Sequence, residues 1–363
     1  MECSTCSTNS ELKQTALFTS HKKAGAKLVD FAGYNMPLFF TNIISEHNHT
    51  RNNCSIFDVS HMGYIEIKGK NCFKFLQNLL TRDISKMTNL QASYSLICNN
   101  NGYPIDDLIV YKVEDENYFI VCNASNKEKV MDQLQKNITD NVIFKFINKT
   151  ILAIQGPSSL KNVNKVFPNF DLGKKNYTLQ KINSSLGEEI LIAQTGYTGE
   201  KGVEIICNPQ QSLKIYEAFL NFNDTQPAGL GARDTLRTEF GYCLFGNELT
   251  TDQNPYESRV GWAINLNEDF IGKDYLEKHK SDQQKKLFGL ISENARAPRK
   301  DMILFDSNDK QIGIVTSGCF SPTLRKGIGI VKIDKNYPED IIFLKIRDKK
   351  IKFYLKNFPL IKE

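Results

Sequence analysis

The sequence contains no apolar run of the ~20 residues that a membrane-crossing helix needs, so no membrane association is expected. Its first ten residues, MECSTCSTNS, lack both the apolar core of a secretory signal and the Arg-rich amphipathic character of a transit peptide. It also lacks an ordered cysteine framework. Nine cysteines, an odd and scattered set, do not build a secreted disulfide scaffold, and a reducing compartment is expected. Cys3 and Cys6 form a lone CxxC in a Ser/Thr-rich tail with no second pair to complete a structural zinc, so this tail reads as disordered. Neither GxGxxG nor GxxxxGK[ST] occurs, which argues against a dinucleotide-binding fold and a P-loop. Charge of one sign is in short supply: 46 Lys and Arg against 41 Asp and Glu leave +5, too mild for the basic footprint of a nucleic-acid binder. That excess suits an acidic protein partner or an anionic substrate without demanding either. Tryptophan occurs once, at Trp262.

What is present is an ordinary globular balance. The chain has 363 residues, 40% of them apolar and 24% charged, enough for two or three domains. The segment 71–81 repeats apolar residues at helical spacing through Phe73, Leu76, Leu79 and Leu80. Segments 94–100, 105–113 and 118–124 read as consecutive strands with short polar connections, an antiparallel meander turning at Glu114–Asn117. Helix 127–138 follows, then strands at 150–157, 188–195 and 202–208. Segment 231–241 predicts a helix with Asp234 in its first turn and Gly241 as its stop. A polar stretch at 279–287 reads as a linker, and beyond it six short strands without a helix predict a β-barrel. The fold class expected is α+β, built on antiparallel sheets, with 12–278 as the main region and 287–361 as the barrel. No internal repeat is visible.

The stretch NNNGYPIDDLIVYKV, residues 99–113, places two aspartates side by side at the head of a strand, where Asp is disfavoured. Neighbours on a strand face opposite ways, so one of Asp106 and Asp107 can face water while the other faces inward. Both faces of the strand are largely apolar, and alternation alone does not choose between them. Whether Asn123 joins Asp107 depends on the parity of the hairpin loop. The plainer reading makes both aspartates solvated strand-start residues.

Other candidates are individually weak. QTGYTGEKGVEI, 194–205, holds three glycines that imply tight turns or backbone pressed against a ligand, and places Glu204 on a strand where it can accept two parallel N–H donors or simply face water. Arg233 and Arg237 share a helix face, a like-charge pair that invites an acidic partner, with Asp234 and Glu239 nearby as ordinary ones. A lone Trp is more often core than stacking platform. His47 and His49 form HxH with no carboxylate or cysteine cluster to complete a metal site, so no metal is expected. Ser60 and His61 are sequence neighbours, which in a strand do not form a dyad.

Taken in order, VDFAGYNMPL (29–38), FDVSHMG (57–63), GYPIDDLIVY (102–111), VCNASNKEK (121–129), AIQGP (153–157), TGYTGEKGVEI (195–205), PAGLGARDTLR (227–237), GWAINLNEDFIGK (261–273) and TSGCFSPTL (316–324) resemble the T-protein of the glycine cleavage system, the aminomethyltransferase family, from about Leu17 to about Lys362. The resemblance implies a three-domain cloverleaf around a central tetrahydrofolate channel, with a C-terminal barrel. It implies transfer of the methylene of an aminomethyl group, carried on the lipoyl arm of H-protein, to tetrahydrofolate as co-substrate, releasing ammonia and forming 5,10-methylenetetrahydrofolate in glycine catabolism. Glycine decarboxylase and dihydrolipoamide dehydrogenase would be functional partners. A monomer is expected, cytoplasmic in a bacterium and in the mitochondrial matrix in a eukaryote.

By motif the resemblance makes Asp107 the catalytic carboxylate, with Asp106 outward or supporting. It makes Asn123, Glu204 and Arg233 folate contacts, Tyr94, Tyr197 and Trp262 aromatic walls, and Arg299 a residue of the channel mouth. The sequence departs from the family pattern at Gly102-Tyr103, Gln194, Tyr34 and Arg259. Within the same fold the alternatives are a folate-dependent demethylase and a non-enzymatic folate-binding iron–sulfur assembly factor; the latter's KGCYxGQE motif is replaced here by GARDTLRTE.

Overall fold

A computed structural model describes residues 11–184, 187–346 and 349–361. The Cys3–Cys6 tail lies outside them. The seven other cysteines are free.

The predicted meander is present as strands Gln91–Cys98, Pro104–Glu114 and Asn117–Cys122, all antiparallel. They are completed by Gly63–Lys68 and Ile143–Phe146 into a five-stranded sheet. A second, six-stranded sheet takes Leu179–Ser184, Gly187–Ala193, Gly202–Cys207, Thr150–Gln155, Cys54–Asp58 and Thr225–Pro227 in that order. Its last strand pairs in parallel with Cys54–Asp58.

Core composition explains why strand Pro104–Glu114 is apolar on both faces. One face, through Leu108 and Val110, packs under helices Cys72–Leu79 and Lys127–Lys136, with Phe75, Leu76 and Val130. The other, through Ile109 and Tyr111, meets residues of the second sheet (Ile151, Ala153, Ala193, Ile206) and of helix Leu230–Phe240 (Ala232, Leu236). Each Val, Leu, Ile or Phe side chain so removed from water stabilises the fold by roughly 1.5–3 kcal/mol. The outer face of the second sheet is covered by helices Ser159–Val166 and Pro209–Leu220.

The six expected C-terminal strands close into a barrel in the order Lys285–Ser292, Lys326–Asp334, Gln311–Ser321, Ile303–Phe305, Ile341–Ile346, Lys349–Lys356. The stretch expected to be a linker already contributes Lys285–Leu287 to the first of these. Helix Leu230–Phe240 starts one residue earlier than predicted, which moves Asp234 out of the first turn; the carboxylate pairs instead with Arg237 at 2.8 Å. The helix stops at Gly241, whose φ of +71° is open to glycine at little cost.

This helix fastens the barrel to the sheets. Glu239, fully buried, meets Arg51 at 2.8 Å and His47 at 3.3 Å, and accepts from the hydroxyls of Ser321 and Thr323 of the barrel region. Arg237 pairs with Glu248 at 2.9 Å and donates to Ser317 Oγ at 2.8 Å. The HxH histidines are absorbed structurally: His47 bonds Thr235 and Thr323, and His49 contacts the Asp224 carbonyl. Among the described residues no helix is long and apolar enough to cross a membrane.

Candidate functional site

Between the two sheets, helix Leu230–Phe240 and the barrel lies a cavity of about 1420 Å³. Its wall includes every site residue picked out in the sequence: Tyr94, Asp107, Asn123, Tyr197, Glu204, Arg233, Trp262 and Arg299.

The two aspartates separate as a strand requires, but not into an inside and a wet outside. Asp107 faces the cavity beside Ile109 and Tyr111. Asp106 points the other way, as expected of the outward or supporting partner, but it is 0% exposed, so the reading of a solvated carboxyl is wrong. Helix Lys127–Lys136 and the short turn before it cover that face. Asp106 accepts three bonds there: from the Asn123 backbone N–H at 2.9 Å, Asn123 Nδ2 at 2.9 Å and Asn126 Nδ2 at 2.6 Å. No cation is among these partners. Burial and then the neighbouring Asp107 push the Asp106 carboxyl up to about 8. Burial likewise raises Asp107, against the opposing hydrogen bonds from Tyr94 and Asn123.

The loop-parity question has a local answer. The strand pairing ends at Leu108 opposite Cys122, and a bulge between Lys112 and Glu114 adjusts the register. Asn123 therefore sits just past the strand end, where its side chain reaches both aspartates, bonding Asp107 Oδ1 at 2.9 Å as well. Tyr94, on the next strand, donates its hydroxyl to Asp107 Oδ2 at 3.0 Å.

Aromatic rings line the same space. Trp262 is not core: it is 57% exposed, stacked on Tyr94 at 5.2 Å between centroids, with the Arg82 guanidinium 5.7 Å from its ring. Tyr197 donates to the Cys243 carbonyl and lies under the Arg233 guanidinium at 5.0 Å. Of the arginine pair on the helix, Arg237 is satisfied within the protein, whereas Arg233 Nη1 is buried without a partner. Burial lowers the Arg233 pKa, and the charge of Glu204 opposes this. Glu204 itself takes one bond, from the Thr195 hydroxyl. Arg299 is exposed at the barrel side of the rim.

The glycines of TGYTGEKG serve close approach. A Cβ on Gly196 or Gly202 would strike the Gln155 side chain at 2.2 or 2.4 Å, and one on Gly199 would strike the Phe240 ring at 2.2 Å. Among the departures from the family pattern, Gln194 bonds Thr178, and Lys127 donates to the Tyr34 hydroxyl. Arg259 lies 4.6 Å from the Phe358 ring and donates to the Gly241 carbonyl.

Sequence reasoning missed His61 as a wall residue. The Ser60–His61 neighbours form no dyad, since the Ser60 hydroxyl donates to Asp58 Oδ1. His61 instead lines the cavity with a buried Nδ1 that lacks a partner. Burial, reinforced by Arg233 and Lys127 against Asp58, lowers its pKa to about 3 and keeps the ring neutral. The SHMG motif carried that signal, but a single histidine has no periodicity to interpret. No group of three His, Cys, Asp or Glu suited to a metal occurs among the described residues.

A deep cavity at the junction of two sheets and a barrel, walled by stacked rings and holding a raised carboxyl and an unpaired guanidinium nitrogen, is the build of an enzyme that binds a planar polar ligand. Family comparison narrows this. The GCVT N-terminal domain matches residues 17–268, and the glycine cleavage T-protein C-terminal barrel domain matches residues 285–362. The aminomethyltransferase of Halothermothrix orenii is 39% identical, over 96% of this chain and 100% of its own length. That of Caldanaerobacter subterraneus is 41% identical, over 97% and 99%. The crystal structure of glycine cleavage system aminomethyltransferase T from Bartonella henselae superimposes with a TM-score of 0.91 at 29% identity, covering 96% of this chain and 98% of that one. The chain belongs to the glycine cleavage T-protein family, the tetrahydrofolate-dependent aminomethyltransferases.

Proposed function

We propose that this chain takes the methylene of an aminomethyl group from the lipoyl arm of H-protein to tetrahydrofolate, releasing ammonia and forming 5,10-methylenetetrahydrofolate in glycine catabolism. The observation that carries this reading is the cavity's polar set: Asp107, Glu204 and the unpaired Arg233 Nη1 facing one space walled by Tyr94, Tyr197 and Trp262. That set fits a folate. A pterin offers an amidine-like edge of N–H donors for the Glu204 carboxylate and flat faces for the rings, while Arg233 has a donor left for an oxygen.

When bound, tetrahydrofolate supplies the nucleophilic ring nitrogen, so the protein need supply no covalent nucleophile. Glu204, Arg233 and the rings orient the ring, and fixed geometry of this kind lowers a barrier by several kcal/mol. Asp107 places a carboxylate where the transferred carbon gains positive charge as ammonia leaves. Tyr94 and Asn123, bonded to its two oxygens, hold that carboxylate in place. Arg299 at the rim is positioned to meet the anionic tail of the folate. We also propose that H-protein docks partly through surface Lys and Arg, and that the cytoplasm is the compartment if the source is bacterial.

The test is a single-turnover assay with lipoylated H-protein loaded with the aminomethyl group, following ammonia with and without tetrahydrofolate. Folate-dependent ammonia release is expected; release that ignores folate would overturn the proposal.

A further inference from the structure

Asp106 is a buried carboxyl that the chemistry just described does not use. It faces away from the cavity, yet its whole set of bonds is built around one cavity residue. Two of its three donors belong to Asn123, and the third, Asn126, is itself 1% exposed.

A primary amide has an acceptor end and a donor end, and either can point into a site. Here the choice is forced. Asn123 Nδ2 lies 2.9 Å from Asp106 Oδ1, 2.9 Å from Asp107 Oδ1 and 3.1 Å from the Asp107 carbonyl oxygen, so its two hydrogens are shared among three acceptors. Reversing the amide would set its oxygen against the Asp107 carbonyl oxygen, which can only accept, an arrangement of acceptor on acceptor in a buried place. The planar amide then turns Oδ1, which no group among the described residues bonds, away from the aspartates. Asn123 is part of the cavity wall.

We propose that Asp106 is a positioning residue: it locks the Asn123 amide with its NH2 on the aspartate pair and its carbonyl toward the cavity, where that carbonyl accepts an N–H of the bound folate ring. This rests on tetrahydrofolate as the cavity's ligand. Once the Asp107 carboxylate engages the ligand, Asp107 holds the amide only through its backbone carbonyl at 3.1 Å. Asp106, out of reach of the ligand, keeps its grip throughout. The Asn123 backbone bond to the same carboxyl fixes the residue's main chain as well. A consequence is a preference for ligands with an N–H at that edge over ligands with a bare ring nitrogen.

The experiment is a double-mutant cycle on tetrahydrofolate affinity, read by quenching of the single tryptophan, which stacks in the cavity wall. Asp106→Asn is expected to weaken binding about fivefold, the usual effect of losing a buried hydrogen bond. In an Asn123→Ala background the same substitution should have almost no further effect, because the amide it orients is gone. A role in folding alone would give equal losses in both backgrounds and would overturn the proposal. So would unchanged affinity in Asp106→Asn. Should that variant fail to fold, Asn126→Ala loosens the same carboxyl from behind the cavity; it should weaken tetrahydrofolate binding about threefold in the natural background and not in Asn123→Ala. Equal losses there would count against the assignment. Wild-type protein that fails to bind tetrahydrofolate would refute the folate reading itself, a different and separable result.

Discussion

The Tyr94 hydroxyl donates to Asp107 Oδ2 across 3.0 Å while the Tyr94 ring stacks on Trp262 at 5.2 Å. One side chain thus ties the carboxylate to the aromatic wall, so the charge and the stacking surface keep a fixed separation. Preorganisation of this kind is what a site needs when positive charge develops on a substrate carbon.

Asp107→Asn keeps the shape of the side chain and its bond from Tyr94 while deleting the charge. Turnover is expected to fall by ~10²–10³. Folate affinity should change only modestly, and the thermal midpoint should hold. Steady-state kinetics at saturating folate and H-protein check this, with unchanged turnover as the contrary result.

The apoprotein's stability should carry the imprint of the aspartate pair. A carboxyl whose folded pKa lies above its unfolded value favours the fold while protonated, and that favour is lost as pH rises through the folded pKa. For Asp106 the window runs from an unfolded value near 4 up to about 8. Melting temperatures measured across that range should decline with rising pH, and decline less steeply in Asp106→Asn. Parallel curves for the two proteins would show that Asp106 does not carry this slope.

Glu239 works in the opposite sense. Burial would raise its pKa, but bonds from His47 and Ser321 and the Arg51 charge more than offset this and hold it at about 2. Its contribution is complete above the unfolded value of about 4.5 and is lost as pH falls toward 2. Glu239→Gln leaves Arg51 and His47 with a neutral partner at the barrel junction, and breaking a buried pair costs roughly 3–5 kcal/mol. Denaturant unfolding should register that loss, together with a weaker response to acid than the natural protein shows.

Glu204→Ala is expected to weaken tetrahydrofolate binding by about 1–3 kcal/mol, since it leaves the ligand's donors unpaired. Calorimetry on the folded variant checks this; full affinity would place the pterin elsewhere.

If an acidic H-protein is steered by the +5 excess, its apparent KM should rise with ionic strength, because surface charges are screened within about 10 Å at 0.1 M salt. A flat salt profile would rule out electrostatic docking.

The elements came out of the sequence because each is a local matter. Short runs rich in apolar residues between polar connections mark Pro104–Glu114 and its neighbours as strands, helical spacing marks Cys72–Leu79, and six apolar runs between turns make the barrel. Glycine at 241 ends its helix by backbone freedom alone. Opposite facing of Asp106 and Asp107 follows from the pleat. What covers each face does not. Only packing decided that helix Lys127–Lys136 and the turn ahead of it close over Asp106, turning an expected solvated carboxyl into a buried one. Packing likewise put Trp262 at a cavity mouth, gave Arg237 the partners that Arg233 lacks, and brought His61 into the wall. Those outcomes depend on contacts between residues tens to hundreds of positions apart, such as Arg237 with Ser317 or His47 with Thr323. Periodicity reports which way a side chain leaves its own backbone; the identity of the group it meets is set by how sheets, helix and barrel come together.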